Sequence, residues 1–404
     1  MRFLSVYAAL AIGIIVLIIW SENLKKSEAN RFIEACQFVA ERIYLEDQIV
    51  NPWRDTCFHS AAQNANRPLP EQRYYFRKTL EMLDVSHLDL FEPQEVKGIW
   101  TENKKTTGLI SEFMDGQLIV TETLPNSEAK KNLINSGDQL LSINQEAPSP
   151  QQAQEISGDY VFDRKGNPYS VRLDTKELVV DESLKVKKLS EKTAQLKVPS
   201  FRADYFSMEK LKKISQELAP YKKIILDLRK NQGGNFVSGL RLLSVFLCGQ
   251  QAVGYLLRPK FANLPKSDIP DDIDDESQLE HMNKSYFINL QTFNNYPCLT
   301  QSLVVLVDQE TSSTAELVAQ ALKDYRAARI MGLATSGRLL VGVWYPMESL
   351  GRGVKISIPE AVYQTKRGRQ IEKHGVNLDE VLDYRRADFE NGEDSWLKAS
   401  LNKF

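Results

Sequence analysis

The second half of the chain alternates between short apolar runs and segments with apolar residues at helical spacing. Short apolar runs predict buried strands at Leu196–Val198, Ile224–Leu228, Leu303–Val307 and Arg329–Met331. Helical spacing predicts helices over Ser207–Leu218, Val237–Leu247 and Thr314–Tyr325. Because strands and helices follow one another, this half of the chain is predicted to form an α/β core.

The first half has a different pattern. Helical periodicity covers Ser27–Phe58 and Arg67–Leu83, and Phe91–Trp100 is interpreted as a connector. A β-rich stretch over Thr107–Asn144 follows, with glycine-containing turns, and then a short helix and a strand are predicted at residues 151–156 and 169–173. The acidic run Asp268–Glu280, between core elements, is predicted to be a solvated loop.

The first segment is long, apolar and uncharged. Phe3–Trp20 would form a helix roughly 27 Å long, which is enough to cross a hydrocarbon core. No small-residue cleavage site follows it, so the segment is predicted to be an uncleaved signal anchor. Basic residues lie on both sides of the segment, and charge alone does not orient it.

The composition argues against some classes of protein. The 404 residues suffice for two or three domains, and a 42% hydrophobic content with a net charge of −2 argues against disorder and against nucleic-acid binding. Cys36 and Cys57 lie in two helical stretches and could form a disulfide outside the cytoplasm, or remain buried thiols. No cysteine or histidine spacing indicates a metal site, and no cofactor is expected.

A serine lies between a buried strand and a helix. Ser313 follows the strand Leu303–Val307 and precedes the helix from Thr314. Backbone N–H groups at such a turn can stabilise a developing anion, so this position suits a nucleophile. Ser313 with Glu316 also fits a capping box, which requires no chemistry.

Two motifs in the core resemble those of the C-terminal processing and tricorn-core peptidases. Residues 224–235 (IILDLRKNQGGN) are similar to the family's strand and glycine turn, and residues 311–337 are similar to its S-x-x-E helix followed by A-x-x-x-G-x-x-T-x-G. The match covers roughly residues 185–385. The resemblance implies an α/β peptidase core of the crotonase/Clp-protease type that works outside the cytoplasm, as many bacterial members do.

The β-rich stretch resembles a PDZ domain. The most specific part is residues 137–144 (GDQLLSIN), and the resemblance spans roughly residues 96–180. Such a domain adds a peptide to a sheet edge, which would recruit substrate tails. A purely structural or regulatory module remains the alternative.

The resemblance assigns roles by position. The nucleophile is Ser313, with Ser312 as the neighbouring alternative. The oxyanion hole is formed by the N–H group of Thr314 and that of Gly233 or Gly234, where glycine allows close backbone approach. In a purely structural interpretation the two glycines form a tight turn.

The chain departs from the C-terminal processing branch at its general base. That branch uses a lysine in the turn after T-x-G, supported by a glutamine four residues later, and this sequence has Arg338 and Gly342 there. An arginine stays protonated and cannot accept the serine proton. Either the chain is inactive or another residue is the base.

A histidine supplies the alternative base. The tricorn-core branch has a Ser-His pair before its PDZ domain and an acidic residue in a late segment, which correspond here to Ser86, His87 and Glu372. The implied relay is Ser313, His87 and Glu372, with Ser86 in support. His374, in the same late segment, is the competing base.

The sequence thus predicts a membrane-anchored serine endopeptidase of the tricorn-core (Ser-His-Glu) branch that cleaves exported proteins. The alternative is a pseudopeptidase that binds peptides or proteins. We expect a single-pass inner-membrane protein whose body lies in the periplasm or another extracytoplasmic space, and a homo-oligomer is left open. The predicted parts are an anchor (1–21), a helical domain (22–95), a PDZ-like domain (96–180), the peptidase core (181–386) and a C-terminal tail (387–404).

Overall fold

The computed structural model describes residues 31–100, 103–272 and 274–404. The predicted anchor Phe3–Trp20 lies outside these residues. Within the described residues, no helix is both long enough and apolar enough to span a membrane.

The N-terminal part is a helical layer that ends in a short strand. Its elements are α1 (residues 31–42), α2 (Asp47–Asn64), α3 (Leu69–Glu81), β1 (Asp89–Phe91) and α4 (Pro93–Trp100). Apolar side chains of the first three helices pack on residues of the core sheet, including Ile356 and Ile358. The segment predicted as a connector therefore contains the last residue of a strand and a helix.

The β-rich module begins and ends in a two-stranded ribbon. The ribbon pairs β2 (Asn103–Thr106) with β8 (Lys176–Val179). Between them lies a five-stranded antiparallel sheet in sequential order: β3 (Leu109–Met114), β4 (Gln117–Thr123), β5 (Gln139–Ile143), β6 (Gly158–Arg164) and β7 (Asn167–Leu173). Two short helices complete the module: α5 (Glu128–Lys131) and α6 (Pro150–Glu155). The module has its own apolar cluster, so it packs as a separate unit.

The core contains a mostly parallel six-stranded sheet. Its strands are β9 (Lys185–Lys188), β10 (Thr193–Lys197), β11 (Lys223–Asp227), β15 (Ser302–Val307), β16 (Arg329–Gly332) and β19 (Glu380–Val381). Their spatial order is β19, β16, β15, β11, β10 and β9. All neighbours are parallel except β9 and β10. The sequence predicted its four central strands, of which β11 and β15 contain continuous buried apolar runs.

A second six-stranded sheet joins the helical layer to the core. Its strands are β1, β12 (Ala252–Leu257), β13 (Lys266–Asp268), β14 (Phe287–Gln291), β17 (Leu340–Pro346) and β18 (Lys355–Thr365). β1 pairs antiparallel with β18, with Asp89 opposite Ser357. β18 also pairs with β17, where a bulge separates Val341 from Gly342. The N-terminal layer is thereby hydrogen-bonded into the core.

The core helices are α7 (Met208–Leu218), α8 (Phe236–Leu247), α9 (Asp275–Asn283) and α10 (Thr314–Arg326). Of these, α8 and α10 are buried along most of their length. α8 and α10 pack against each other, and Gly239 allows their close approach because a Cβ there would lie 2.5 Å from Thr314 Cγ2. The acidic run predicted as a loop contains most of α9.

The C-terminal residues pack on the core rather than extending from it. They form α11 (Arg386–Glu390) and α12 (Ser395–Ser400). Trp396 is buried against Ile225, Val304 and Met331 of the parallel sheet, and its indole stacks on Tyr384. This segment is therefore part of the core's packing.

All four cysteines form disulfides. Cys36 of α1 pairs with Cys57 of α2, so of the two alternatives that the sequence left open the structure has the disulfide. Cys248, which follows α8, pairs with Cys298, and this second bond was not predicted because fifty residues separate the two cysteines.

Candidate active site

Ser313 has a backbone conformation that other serine caps of this protein lack. Its φ and ψ are 54° and −125°, whereas Ser127, Ser149 and Ser207 cap their helices with extended backbones. A capping serine ordinarily has an extended backbone. Strained serines on a sharp strand-to-helix turn are instead typical of nucleophiles. The conformation thus favours the nucleophile over a purely structural cap.

A buried carboxylate holds the turn around Ser313. Glu316 is fully buried and accepts hydrogen bonds from the Ser313 N–H (3.1 Å), Thr335 Oγ1 (2.6 Å), and the N–H groups of Gly337 (2.8 Å) and Arg338 (3.0 Å). Burial raises the pKa of Glu316 above its ordinary value, although these four hydrogen bonds oppose the rise. The predicted S-x-x-E and T-x-G motifs meet at this one side chain.

The glycine turn lies directly against Ser313. Gly233 has φ +95°, and a Cβ on it would lie 2.7 Å from Ser313 Cβ and 3.0 Å from Thr314 N. A Cβ on Gly234, with φ +135°, would lie 2.8 Å from the carbonyl of Phe201. Both positions therefore require glycine for conformation and for space.

The structure distinguishes the two glycine N–H groups. The Gly233 N–H donates to Asn231 Oδ1 (2.8 Å), and Asn231 Nδ2 donates to the Val198 carbonyl (2.7 Å). Across the residues that the structure describes, neither the Gly234 N–H nor the Thr314 N–H donates a hydrogen bond. Gly234 and Thr314 are consequently the better candidates for an oxyanion hole.

Ser312, the alternative nucleophile, is tied down through its backbone. Its N–H donates to the Asn231 carbonyl (3.0 Å), and its carbonyl accepts from the Ala315 N–H (3.0 Å). Both bonds fix the loop before α10, and Ser312 remains only partly buried. Its neighbour Ser313 has the strained backbone and the contact with Gly233.

His87 reaches the turn that follows the T-x-G motif. Its Nε2 lies 3.2 Å from the carbonyl oxygen of Arg338. Burial lowers the pKa of His87, the Arg338 guanidinium lowers it further, and the Arg338 carbonyl and the Glu372 carboxylate raise it. A histidine with a lowered pKa is neutral at pH 7, as a general base must be. No hydrogen bond joins His87 to Ser313 among the described residues, so the role of His87 stays a prediction.

Glu372 holds the residue before His87. Its carboxylate accepts hydrogen bonds from Ser86 Oγ (2.8 Å), the Ser86 N–H (3.2 Å) and the Leu339 N–H (2.8 Å). The carboxylate thus connects the end of the helical layer to the start of β17. Glu372 acts on His87 through its charge and through Ser86, rather than through a direct hydrogen bond.

The competing histidine, His374, is exposed and belongs to the same late turn. Its Nδ1 lies 2.7 Å from the carbonyl oxygen of Glu372, and its N–H donates to the Ile371 carbonyl. Arg338 is also exposed, while its N–H and carbonyl are held by Glu316 and His87. Among the described residues, the His87 ring contacts the Arg338 carbonyl, whereas the His374 ring contacts the Glu372 carbonyl.

The described part of the chain contains no cluster of three or more histidine, cysteine, aspartate or glutamate residues able to hold a metal ion. Among the described residues, a hydroxyl, the Glu316 carboxylate and two N–H groups without an acceptor meet at the Ser313 turn, and the His87 imidazole lies at the neighbouring Arg338 carbonyl. Such groups suit proton transfer and anion stabilisation.

Comparison with known proteins agrees with this geometry. Residues 192–382 match the model of peptidase family S41. A carboxyl-terminal-processing protease of Picosynechococcus sp. is 24% identical over 327 residues, which cover 75% of this chain and 71% of that protein. A similarly named protease of Synechocystis sp. is 29% identical over 159 residues, which cover 39% of this chain and 30% of that protein.

Two solved structures share the fold. Mature CPAF matches with a TM-score of 0.62 at 12% identity, over 92% of this chain and 96% of that chain. A photosystem II D1 C-terminal processing protease matches with a TM-score of 0.56 at 18% identity, over 88% of this chain and 93% of that chain. The predicted α/β peptidase fold is confirmed in this coarse form.

The family match and the strained serine beside the glycine turn indicate a serine peptidase. Over residues 192–382 the chain is similar to peptidase family S41, and its curated relatives include C-terminal processing proteases.

Proposed function

We propose that this protein is a serine endopeptidase in which Ser313 is the nucleophile, His87 the general base and Glu372 the supporting carboxylate. One observation carries the proposal. Arg338 is held at its N–H by Glu316, three residues after Ser313, and at its carbonyl by His87. The helix of the nucleophile and the segment of the base thus meet at a single residue, although the two segments are far apart in sequence.

The reaction follows from these positions. Ser313 Oγ attacks the scissile carbonyl while His87 accepts its proton, and the oxyanion that forms accepts hydrogen bonds from the Gly234 and Thr314 N–H groups. His87 then donates the proton to the leaving amine, and the C–N bond breaks. Water hydrolyses the acyl-enzyme in a second step, with His87 again as base.

His87 must change its partner during this cycle. A carbonyl oxygen can only accept a hydrogen bond, so Nε2 of the neutral ring carries the proton while it faces Arg338. To serve Ser313 through Nε2, the ring must release the Arg338 carbonyl and shift its proton to Nδ1. Catalytic hydrogen bonds often form only when substrate binds, which fits this arrangement.

The cellular setting is part of the same proposal. Disulfides persist in oxidising compartments, so the Cys36–Cys57 and Cys248–Cys298 bonds support an extracytoplasmic body. The apolar segment Phe3–Trp20 would anchor that body to the membrane. Purified protein should retain Met1–Trp20, and it should stay in the membrane fraction after a high-salt wash. A soluble periplasmic form that begins near Ser21–Ser27 would rule out the anchor.

Substrate recruitment is assigned to the β-rich module, as a PDZ-like domain. β3 is an edge strand of its sheet, and an edge strand can pair with an extended peptide. The module also contacts the loops beside Ser313: Lys230 Nζ donates to Thr121 Oγ1 (2.8 Å), and Gln309 Nε2 donates to Glu112 (2.7 Å). A peptide held on the module would therefore lie near the candidate active site.

Labelling with a serine-directed phosphonate tests the proposal. We expect the wild-type protein to be labelled at Ser313, Ser313→Ala not to be labelled, and His87→Ala to be labelled far more slowly. His374→Ala is the matched control and should keep near wild-type labelling. A wild-type protein that is neither labelled nor active on peptides would instead be a peptide-binding pseudopeptidase.

A further inference from the structure

Gly342 lies in β17 of the second six-stranded sheet, where His87 packs against that strand. A Cβ built on Gly342 would lie 3.1 Å from His87 Cβ and 3.2 Å from the His87 carbonyl oxygen. It would also lie 2.3 Å from Ser357 Oγ. Any side chain at residue 342 would therefore overlap Ser357 Oγ and press tightly against His87.

Space, rather than backbone conformation, is what requires glycine at this position. Gly342 is not among the glycines with positive φ, so its backbone suits an ordinary L-residue. Sequence reasoning noted Gly342 only because a glutamine is absent there. The reason for the glycine appears only when the N-terminal layer is packed on the core.

His87 is held on its other sides by polar contacts. Ser86 is bonded to Glu372, the His87 ring contacts the Arg338 carbonyl, and Asp89 pairs with Ser357 of β18. His87 itself has a positive φ of 59°, which an L-residue adopts at a cost in energy. These contacts force the histidine close to the sheet, and Gly342 lets it approach.

We propose that Gly342 is a positioning residue of the peptidase, and that its missing side chain is what admits His87 to the candidate active site. The inference rests on the proposed role of His87 as general base. A glutamine at residue 342 would begin at the same Cβ, so it would crowd the histidine segment in its present position.

The decisive variant is Gly342→Ala in a Ser357→Ala background. Ser357→Ala removes the closest obstacle, so the new methyl group then meets mainly His87. The methyl group would displace His87 by only a few tenths of an ångström, whereas a displacement of about 1 Å typically costs on the order of 100-fold in rate. We therefore expect Gly342→Ala to lower kcat by about 10-fold relative to Ser357→Ala alone, with KM and Tm little changed.

Gly254→Ala is the matched control. Gly254 lies in β12 of the same sheet, also without a positive φ, and a Cβ there would lie 2.5 Å from the Gln364 carbonyl and 2.6 Å from the Tyr363 ring. This substitution crowds the sheet at a place remote from His87. It should lower Tm while the folded protein keeps the kcat of the wild type.

A double-mutant cycle with His87→Ala separates positioning from general structure. We would measure the residual hydrolysis of an activated ester by the full-length protein, with and without His87. If Gly342 acts through His87, Gly342→Ala lowers activity when His87 is present and has no effect in the His87→Ala background.

Three results would overturn the inference: equal kcat for Ser357→Ala and Ser357→Ala/Gly342→Ala, the same loss from Gly342→Ala with and without His87, or unfolding of the doubly substituted protein at 25 °C. Failure of the proposed function looks different. In that case His87→Ala alone keeps wild-type activity on peptides, whatever residue 342 is.

Discussion

The two halves of the candidate active site are built in different ways. The nucleophile half consists of the glycine turn after β11 and the serine turn after β15, which are adjacent parallel strands of one sheet. The base half joins Ser86 and His87 of the N-terminal layer to Arg338, Gly342 and Glu372 of the core. A local motif can specify the first half, whereas only tertiary packing assembles the second.

The largest effect should come from the nucleophile half. Ser313→Ala should lower kcat on a cleavable peptide by on the order of 10⁶, because the covalent step is lost. The loss of a helix cap would cost only about 1 kcal/mol of stability, so the melting temperature should change little. Steady-state kinetics and thermal unfolding of the same preparation check this. Wild-type kinetics in the variant would exclude Ser313 as the nucleophile.

The base half should respond nearly as strongly at His87. His87→Ala should lower kcat about 10⁴-fold, the upper range for a general base. In the wild type, activity should rise with pH as His87 loses its proton. Because burial lowers the pKa of His87, the midpoint should lie below the ordinary value of 6.5. A pH–rate profile of kcat/KM measures it, and a midpoint well above 6.5 would contradict the desolvated histidine.

Arg338 should have a smaller effect, seen mainly in the pH profile. Its guanidinium lowers the pKa of His87, so Arg338→Ala should raise that pKa and move the midpoint of the profile to higher pH. Both backbone contacts of residue 338 remain, and kcat at the plateau should fall less than about 10-fold. Arg338→Lys keeps the charge and is the control, with an unchanged midpoint. A large plateau loss in Arg338→Ala would give this residue a direct role in catalysis.

The smallest effect concerns the contact between the β-rich module and the nucleophile half. Glu112 of β3 lies 3.7 Å from Lys230 Nζ, and burial together with Glu310 raises the pKa of Glu112 to about 8. A raised pKa in an acid means that folding favours the protonated form. The stability that Glu112 contributes is therefore complete below its ordinary pKa of 4.5 and is lost as pH rises through about 8.

Glu112→Gln should remove this pH dependence. The variant should be more stable than wild type above pH 8, by a few degrees in Tm, and similar near pH 4.5. Thermal unfolding across this pH range measures the difference, with Glu122→Gln on the exposed side of β4 as control. Parallel stability curves for wild type and Glu112→Gln would show that Glu112 does not titrate in this range.

The same contrast explains what could be predicted from the sequence. The strands Ser302–Val307 and Lys223–Asp227 are continuous apolar runs, and the serine and glycine turns after them are local motifs, so all four were predicted. β1 was missed because it has three residues, and its partners in β18 are more than 260 positions away. Nothing near Gly342 in the sequence reveals that His87 packs on it.

The prediction of individual residue roles from the sequence was limited for the same reason. The sequence offered Gly233 or Gly234 for the oxyanion hole, and only the Asn231 side chain, which accepts from the Gly233 N–H, distinguishes them. The acidic run Asp268–Glu280 was predicted as a loop because charged residues outnumber the few apolar residues of α9 that contact the core. The capping box predicted at Ser313 and Glu316 is present, and only the backbone conformation of Ser313 distinguishes it from the other serine caps.

The hydrogen bond between Ser86 and Glu372 also determines how late in synthesis the candidate active site can be completed. The two residues are separated by 286 positions. At roughly 5–20 residues per second of synthesis, the ribosome needs roughly 15–60 s to add that stretch. Throughout this interval the chain can already fold its β-rich module, which has its own apolar cluster, whereas the helical layer still lacks Ile356 and Ile358 of the core sheet. If Glu372 supports His87 as proposed, the relay is incomplete until nearly the whole chain has been made.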